Sequence, residues 1–177
     1  LVTEGRFGRK SGGGFFKREK VKGRHVDFVL DPATGGYVPR RARSFKSLGL
    51  ARRARGVENA LRVLYGGRDE ASEIFRKNAH ATIGYAFARC PEISPSGIEG
   101  IDLAMRWGFN QKKGPGELLD ILGVETVVAA LEKEGPVPPL LTTLVKHGKG
   151  RVYTGGALPE VFQGEAGYRP VTRHPRF

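Results

Sequence analysis

The sequence predicts an all-α fold, a helical bundle with irregular arms and one short β-hairpin. Three observations lead there. Between about residues 57 and 147 the apolar residues recur at helical spacing. Glycine and proline punctuate that stretch at intervals of one short helix. Alternating strand patterns are absent from it, and glycine-rich chain flanks it on both sides. The expected organisation is a basic arm at 1–55, a helical domain at 56–150 and an irregular C-terminal arm at 151–177.

The elements follow in order. Gly12-Gly13-Gly14 cannot sit inside a stable helix and reads as a tight loop, with Phe7, Phe15 and Phe16 as apolar anchors around it. Residues 26–39 read as a short hairpin, with turn chemistry at Asp31-Pro32-Ala33-Thr34-Gly35-Gly36. Residues 40–56 read as a basic connector. In the segment 68–90, Phe75, Ala79, Ile83, Ala86 and Cys90 share one helical face, acids fill the first turns, and Pro91 is expected to stop the helix. Ser94-Pro95-Ser96 offers a cap for a helix carrying Ile98, Ile101, Ala104 and Met105. Gly114-Pro115 opens the next helix and Gly123 ends it. Val124, Val127, Val128 and Leu131 then repeat at helical spacing up to Gly135-Pro136, and a last short helix follows Pro138-Pro139.

The net charge of +12 is unevenly placed. Residues 1–55 hold 15 of the 30 Lys and Arg but only 4 of the 18 acids. The arm therefore attracts polyanions, either nucleic acid or a phosphate-bearing cofactor. It carries no recognised nucleic-acid motif, so nucleic acid is not the expected partner. The single cysteine, Cys90, excludes an internal disulfide framework and suits a reducing compartment, which makes a cytoplasmic location the expectation. No apolar run is long enough to span a membrane.

No nucleotide-binding fingerprint or P-loop is present. His25, His80, His147 and His174 have no metal-ligand spacing, and His80 and Cys90 read as core residues. Glu117 and Asp120 sit where acids favour a helix start, with a catalytic carboxylate pair as the alternative if a pocket adjoins them; Asp102 and Arg106 read as a helix-face pair, and Trp107 and Phe109 read as a core cap in preference to a ligand platform. The residues themselves thus predict no catalytic, cofactor or metal ligand in this chain.

One further feature is an internal echo. Leu1-Val2-Thr3-Glu4-Gly5-Arg6 returns as Leu144-Val145-Lys146-His147-Gly148-Lys149, and Gly36-Tyr37-Val38-Pro39 returns as Gly167-Tyr168-Arg169-Pro170. The second copy is twelve residues shorter between these anchors. A duplicated module whose first copy lacks its body accounts for this, and the chain then reads as a fragment.

Ile101-Asp102-Leu103-Ala104-Met105-Arg106-Trp107-Gly108-Phe109, followed by Gly114-Pro115-Gly116-Glu117-Leu118-Leu119-Asp120, resembles the C-terminal helical domain of 3-hydroxyacyl-CoA dehydrogenases. Arg6-Phe7-Gly8-Arg9-Lys10-Ser11-Gly12-Gly13-Gly14-Phe15-Phe16 resembles the closing motif of that domain. The resemblance implies the tail of a first helical repeat followed by a whole second one, with the fold of the 6-phosphogluconate dehydrogenase C-terminal-like domain. It also implies a parent protein that oxidises 3-hydroxyacyl-CoA with NAD in fatty-acid β-oxidation. NAD and the catalytic His–Glu pair would belong to a Rossmann domain missing from this chain. The fragment would shape the acyl-CoA cleft, pack against other domains or form a homodimer, and be inactive alone. The resemblance implies that the family's substrate-side Asn sits in the missing first repeat; its nearest equivalent in the second repeat is Asn78, 24 residues before Asp102. Gly116 departs from the family's usual Phe. The alternatives are a non-catalytic dimerisation or interaction module, or a nucleic-acid binder acting through the arm.

Overall fold

The computed structural model describes residues 1–156 and 159–172, with Arg9 described by its backbone alone. The chain divides into two compact units, Leu1–Ser44 and Phe45–Phe177.

The first unit is a three-stranded antiparallel sheet in the order β1 (Phe16–Val21), β2 (Arg24–Leu30), β3 (Tyr37–Pro39). Lys22 and Gly23 join β1 to β2 with φ of 48° and 80°. Two positive φ values match a two-residue turn to the twist of its strands. The Asp31 carboxylate accepts from the Ala33 amide at 3.0 Å and the Thr34 hydroxyl at 3.0 Å, which closes the loop between β2 and β3. The predicted hairpin at 26–39 is thus β2 and β3. β1 was hidden because its sequence, FKREKV, is charged on both faces. Pairing gives that charge a place: Arg18 sits opposite Asp27 and donates to it at 2.6 Å. The Gly12–Gly14 run is the expected tight loop. A side chain on Gly14 would stand 3.0 Å from the Gly8 backbone.

The second unit has, among the described residues, α1 (Lys46–Arg53), α2 (Val57–Gly66), α3 (Glu70–Ile93), α4 (Ile98–Gly108), α5 (Pro115–Leu122), α6 (Val124–Glu134), α7 (Pro139–His147) and a two-stranded sheet, β4 (Glu160–Phe162) with β5 (Tyr168–Pro170). The mostly helical prediction therefore holds for this unit. α3 is its axis. Ala79, Ile83, Ala86, Phe87 and Cys90 are buried along one face, against Leu119, Val127, Leu141 and Leu144 from later helices. Burying a side chain the size of Phe87 or Ile83 is worth about 1.5–3 kcal/mol. Pro91 does not stop α3, which runs on to Ile93. So near the end, proline costs one amide donor, and the Ser94 amide still reaches the Cys90 carbonyl at 3.1 Å.

Three differences from expectation have physical causes. The basic connector contains α1. Its Ser47 amide and hydroxyl donate to Asp69 at 2.8 and 2.6 Å, and Asp69 also caps α3 through the Ser72 amide at 3.1 Å. One carboxylate therefore starts two helices. On α4 the inward face carries Glu99 and Asp102 beside Ile98, while Ala104 is exposed. Finally, the region expected as an irregular C-terminal arm at 151–177 contains core residues and the strands β4 and β5. Val152, Val161 and Phe162 are 0%, 0% and 3% exposed and complete the core.

The sequence echo has a structural counterpart. β2 and β3 pair Phe28 with Pro39, Val29 with Val38 and Leu30 with Tyr37; β4 and β5 pair Glu160 with Pro170, Val161 with Arg169 and Phe162 with Tyr168. Phe16 pairs with Val29, and Tyr153 bridges to Val161. The Leu30 amide donates to the Phe15 carbonyl at 2.9 Å, and the Phe162 amide to the Val152 carbonyl at 2.9 Å. The Tyr37 hydroxyl donates to the Gly14 carbonyl at 2.6 Å, and the Tyr168 hydroxyl to the Arg151 carbonyl at 2.5 Å. The two sheets share one plan.

Candidate functional site: a cleft over a buried carboxylate

A cleft of about 1140 Å³ opens in the second unit, lined by residues of α2, α4, α5 and the closing segment around Tyr153 and Thr172. The motif shared by α4 and α5 builds its floor. α5 begins at Pro115, so the first-turn amides have no partner within the helix. Asp102 of α4 supplies one, accepting from Gly116 at 2.8 Å and Glu117 at 3.2 Å. The Tyr153 hydroxyl adds a third bond to Asp102 at 2.6 Å. The positive end of α5 favours the anion. Burial works against it and pushes the Asp102 carboxyl up to about 6, held back by Tyr153 and the Gly116 amide. Burial and the neighbouring carboxylate push the Tyr153 phenol far above its usual value.

This contact leaves no room for side chains on the facing turn. A Cβ on Gly114 would lie 2.3 Å from Asp102 Oδ1, and one on Gly116 would lie 2.8 Å from Asp102 Oδ2. Glycine at 116 therefore lets α5 close tightly on Asp102. The expected Asp102–Arg106 surface pair is replaced by this inward geometry, and Arg106 lies 3.7 Å from Glu117 instead.

Two more acids fasten the closing segment. Asp120 accepts from the Val152 and Tyr153 amides at 2.6 and 2.8 Å, and burial pushes its carboxyl up. Glu99, 3% exposed, accepts from Arg169 at 2.6 Å and from the Thr172 amide at 2.7 Å. Around the mouth, Lys113 lies 3.1 Å from Glu58 and 3.5 Å from Glu117. Leu103, Trp107 and Ile121 add apolar surface beside the cations Arg62, Arg106 and Arg151. The cleft can hold an amphiphilic ligand with an apolar body and an anionic end. Asp102 and Asp120 already accept protein donors, so they act as fasteners and not as free bases.

Asn78 is exposed on α3, where its Oδ1 accepts from Thr82 at 3.4 Å, and it is not among the residues lining the cleft. Trp107 and Phe109 do not cap the core: they are 61% and 73% exposed, because α4 turns its acids inward and its aromatic end outward. His80 is buried as expected, bonded to the Tyr65 hydroxyl at 2.9 Å and to Glu134 at 2.9 Å. Cys90 is buried, which pushes its thiol up. His174 lies outside the described residues. Among the described residues, no group of three or more His, Cys, Asp or Glu is arranged to hold a metal ion. Sequence reasoning missed Asp102 and Tyr153 as partners because 51 residues separate them.

A probable 3-hydroxyacyl-CoA dehydrogenase of Bacillus subtilis (strain 168) is 31% identical to this chain over 154 residues. This chain is related to the 3-hydroxyacyl-CoA dehydrogenases. The aligned stretch is 86% of the chain but only 19% of that relative, so the chain spans about a fifth of the dehydrogenase it matches. No family model and no solved structure matches. Asp102, Glu117 and Asp120, which lie in the stretch that resembles the dehydrogenase motif, also line the cleft.

Proposed function

We propose that this chain is the C-terminal portion of an NAD-dependent 3-hydroxyacyl-CoA dehydrogenase of fatty-acid β-oxidation. In this reading the second unit is a helical domain of the 6-phosphogluconate dehydrogenase C-terminal-like kind. It forms one wall of the acyl-CoA cleft and packs against the other domains or a second subunit. The observation that carries the reading is the Asp102–Gly116–Tyr153 fastening, made by motif residues within a stretch related to a dehydrogenase.

The cleft suits an acyl-CoA in chemical kind. Leu103, Trp107 and Ile121 offer apolar contact, and Arg62, Arg106 and Arg151 offer cations for phosphate. These residues, in preference to Asn78, are the proposed substrate contacts. The described residues do not fit NAD. Gly12–Gly14 leads into β1, and Gly148–Gly150 leads from α7 toward Tyr153, so neither sits at the start of a helix where a pyrophosphate would be held. NAD and the proton-transfer residues therefore belong to the part of the dehydrogenase outside this chain.

The purified chain should give no NADH oxidation with acetoacetyl-CoA above the buffer rate, whereas the full-length product of its gene should turn over. Turnover by the 177-residue chain, or none by an intact full-length product, overturns the reading.

A further inference from the structure

The cleft presents two kinds of surface. Its floor is fastened, because Asp102 and Asp120 accept from Gly116, Glu117, Val152 and Tyr153. One corner of its mouth is different. Arg106 and Trp107 lie in the last turn of α4, and Lys113 immediately precedes Gly114, the cap of α5. All three line the cleft. The backbone between them is fixed. The Phe109 and Gln111 amides both donate to the Met105 carbonyl at 3.2 Å, and Asn110 turns the chain with φ of 53°. Trp107 is 61% exposed and is the single tryptophan of the chain. The largest aromatic side chain thus stands in water on a fixed turn, with two cations at the same corner.

Those cations are positioned and still have donors to give. Arg106 lies 3.7 Å from Glu117, beyond hydrogen-bond distance. Lys113 lies 3.5 Å from the same Glu117 and 3.1 Å from Glu58. One carboxylate therefore gathers a guanidinium and an ammonium beside Trp107, and both can turn donors toward a phosphate.

We propose that this corner binds the nucleotide end of a coenzyme A thioester. The adenine stacks on Trp107, and Arg106 and Lys113 take the phosphates. An aromatic face accepts a base by stacking, and adjacent cations neutralise the phosphates joined to it. This rests on the reading of the cleft as part of an acyl-CoA site, and it says which part. The reacting end of the substrate needs a group free to move a proton. The buried carboxylates of the cleft are engaged with protein donors, and no histidine is among the described residues that line it. The thioester therefore extends away from this chain, and the nucleotide stays. Glu58 competes with the phosphates for Lys113, so it weakens binding.

Trp107 reports on its own site. Adenosine 3′,5′-bisphosphate should quench the fluorescence of the 177-residue chain saturably, whereas pantetheine should not. In calorimetry Trp107→Ala should weaken binding of the bisphosphate at least about tenfold, and Trp107→Phe by less than about threefold. Arg106→Gln should weaken it about tenfold. Glu58→Gln should tighten it about threefold. Trp107 and Arg106 are exposed, so their variants should keep the parent's circular dichroism. No saturable binding at millimolar bisphosphate overturns the proposal. So does unchanged affinity in Trp107→Ala, or pantetheine binding as tightly as the bisphosphate. Turnover by the full-length product without binding at this corner sinks the nucleotide site alone. Binding at this corner without turnover by the full-length product sinks the proposed function alone.

Discussion

Asp102 shows how much a single side chain can organise. It lies 3% exposed on a helix whose inward face it shares with Ile98 and Glu99. Its carboxyl is held at about 6, above the ordinary range, because burial outweighs two amides and a phenol. The linkage sign follows. The folded state binds this proton more tightly than the unfolded state, so the contribution is fully present below about pH 4 and is lost as the pH rises through about 6. The size is on the order of 3 kcal/mol for a shift of about two pH units. Asp102→Asn should therefore flatten the decline in stability across that window relative to the parent chain. Urea denaturation midpoints from pH 4 to 7 check it, and parallel curves for the two proteins would refute the assignment. Sequence could name Asp102 through the family motif but not its partners, since Tyr153 reaches it from far along the chain.

At the scale of elements, α1 depends on a residue outside itself. Ser47 donates through both its amide and its hydroxyl to Asp69, which holds the Asp69 carboxyl down at about 2. That contribution is present above the ordinary carboxylate range and fades as the pH falls through about 2. Asp69→Ala should leave α1 without a start, raising amide exchange in Lys46–Arg53 well before the core of α3 opens; unchanged protection in α1 would refute the shared cap. This also explains what the sequence could and could not show. The axis of α3, the Gly114-Pro115 opening of α5 and the apolar stripe of α6 are local patterns, and they are where the periodicity puts them. α1, β1 and the inward acids of α4 are stabilised by partners distant in sequence, so no local window carries their signal. Trp107 and Phe109 lie at the end of α4, away from its buried Ile98, Glu99 and Asp102, and are exposed.

At the scale of the molecule, the core takes its members, from Leu61 to Val171, from the second unit. Removing residues 1–44 should leave the thermal midpoint of the remainder within about 2 °C of the whole chain, since the core residues named lie in the second unit. Calorimetry of the two proteins decides it, and a fall of ten degrees or so would show that the first unit shares in the core. The paired sheets carry a further consequence. Their shared bonds run almost wholly through main-chain groups and one tyrosine hydroxyl apiece, so the shape survives whatever the remaining side chains become. Val38 in one occupies the place of Arg169 in the other, and Phe15 that of Val152. A clasp written in the backbone can be copied and then re-lettered, each copy drifting in its side chains with no loss of the fold that holds it.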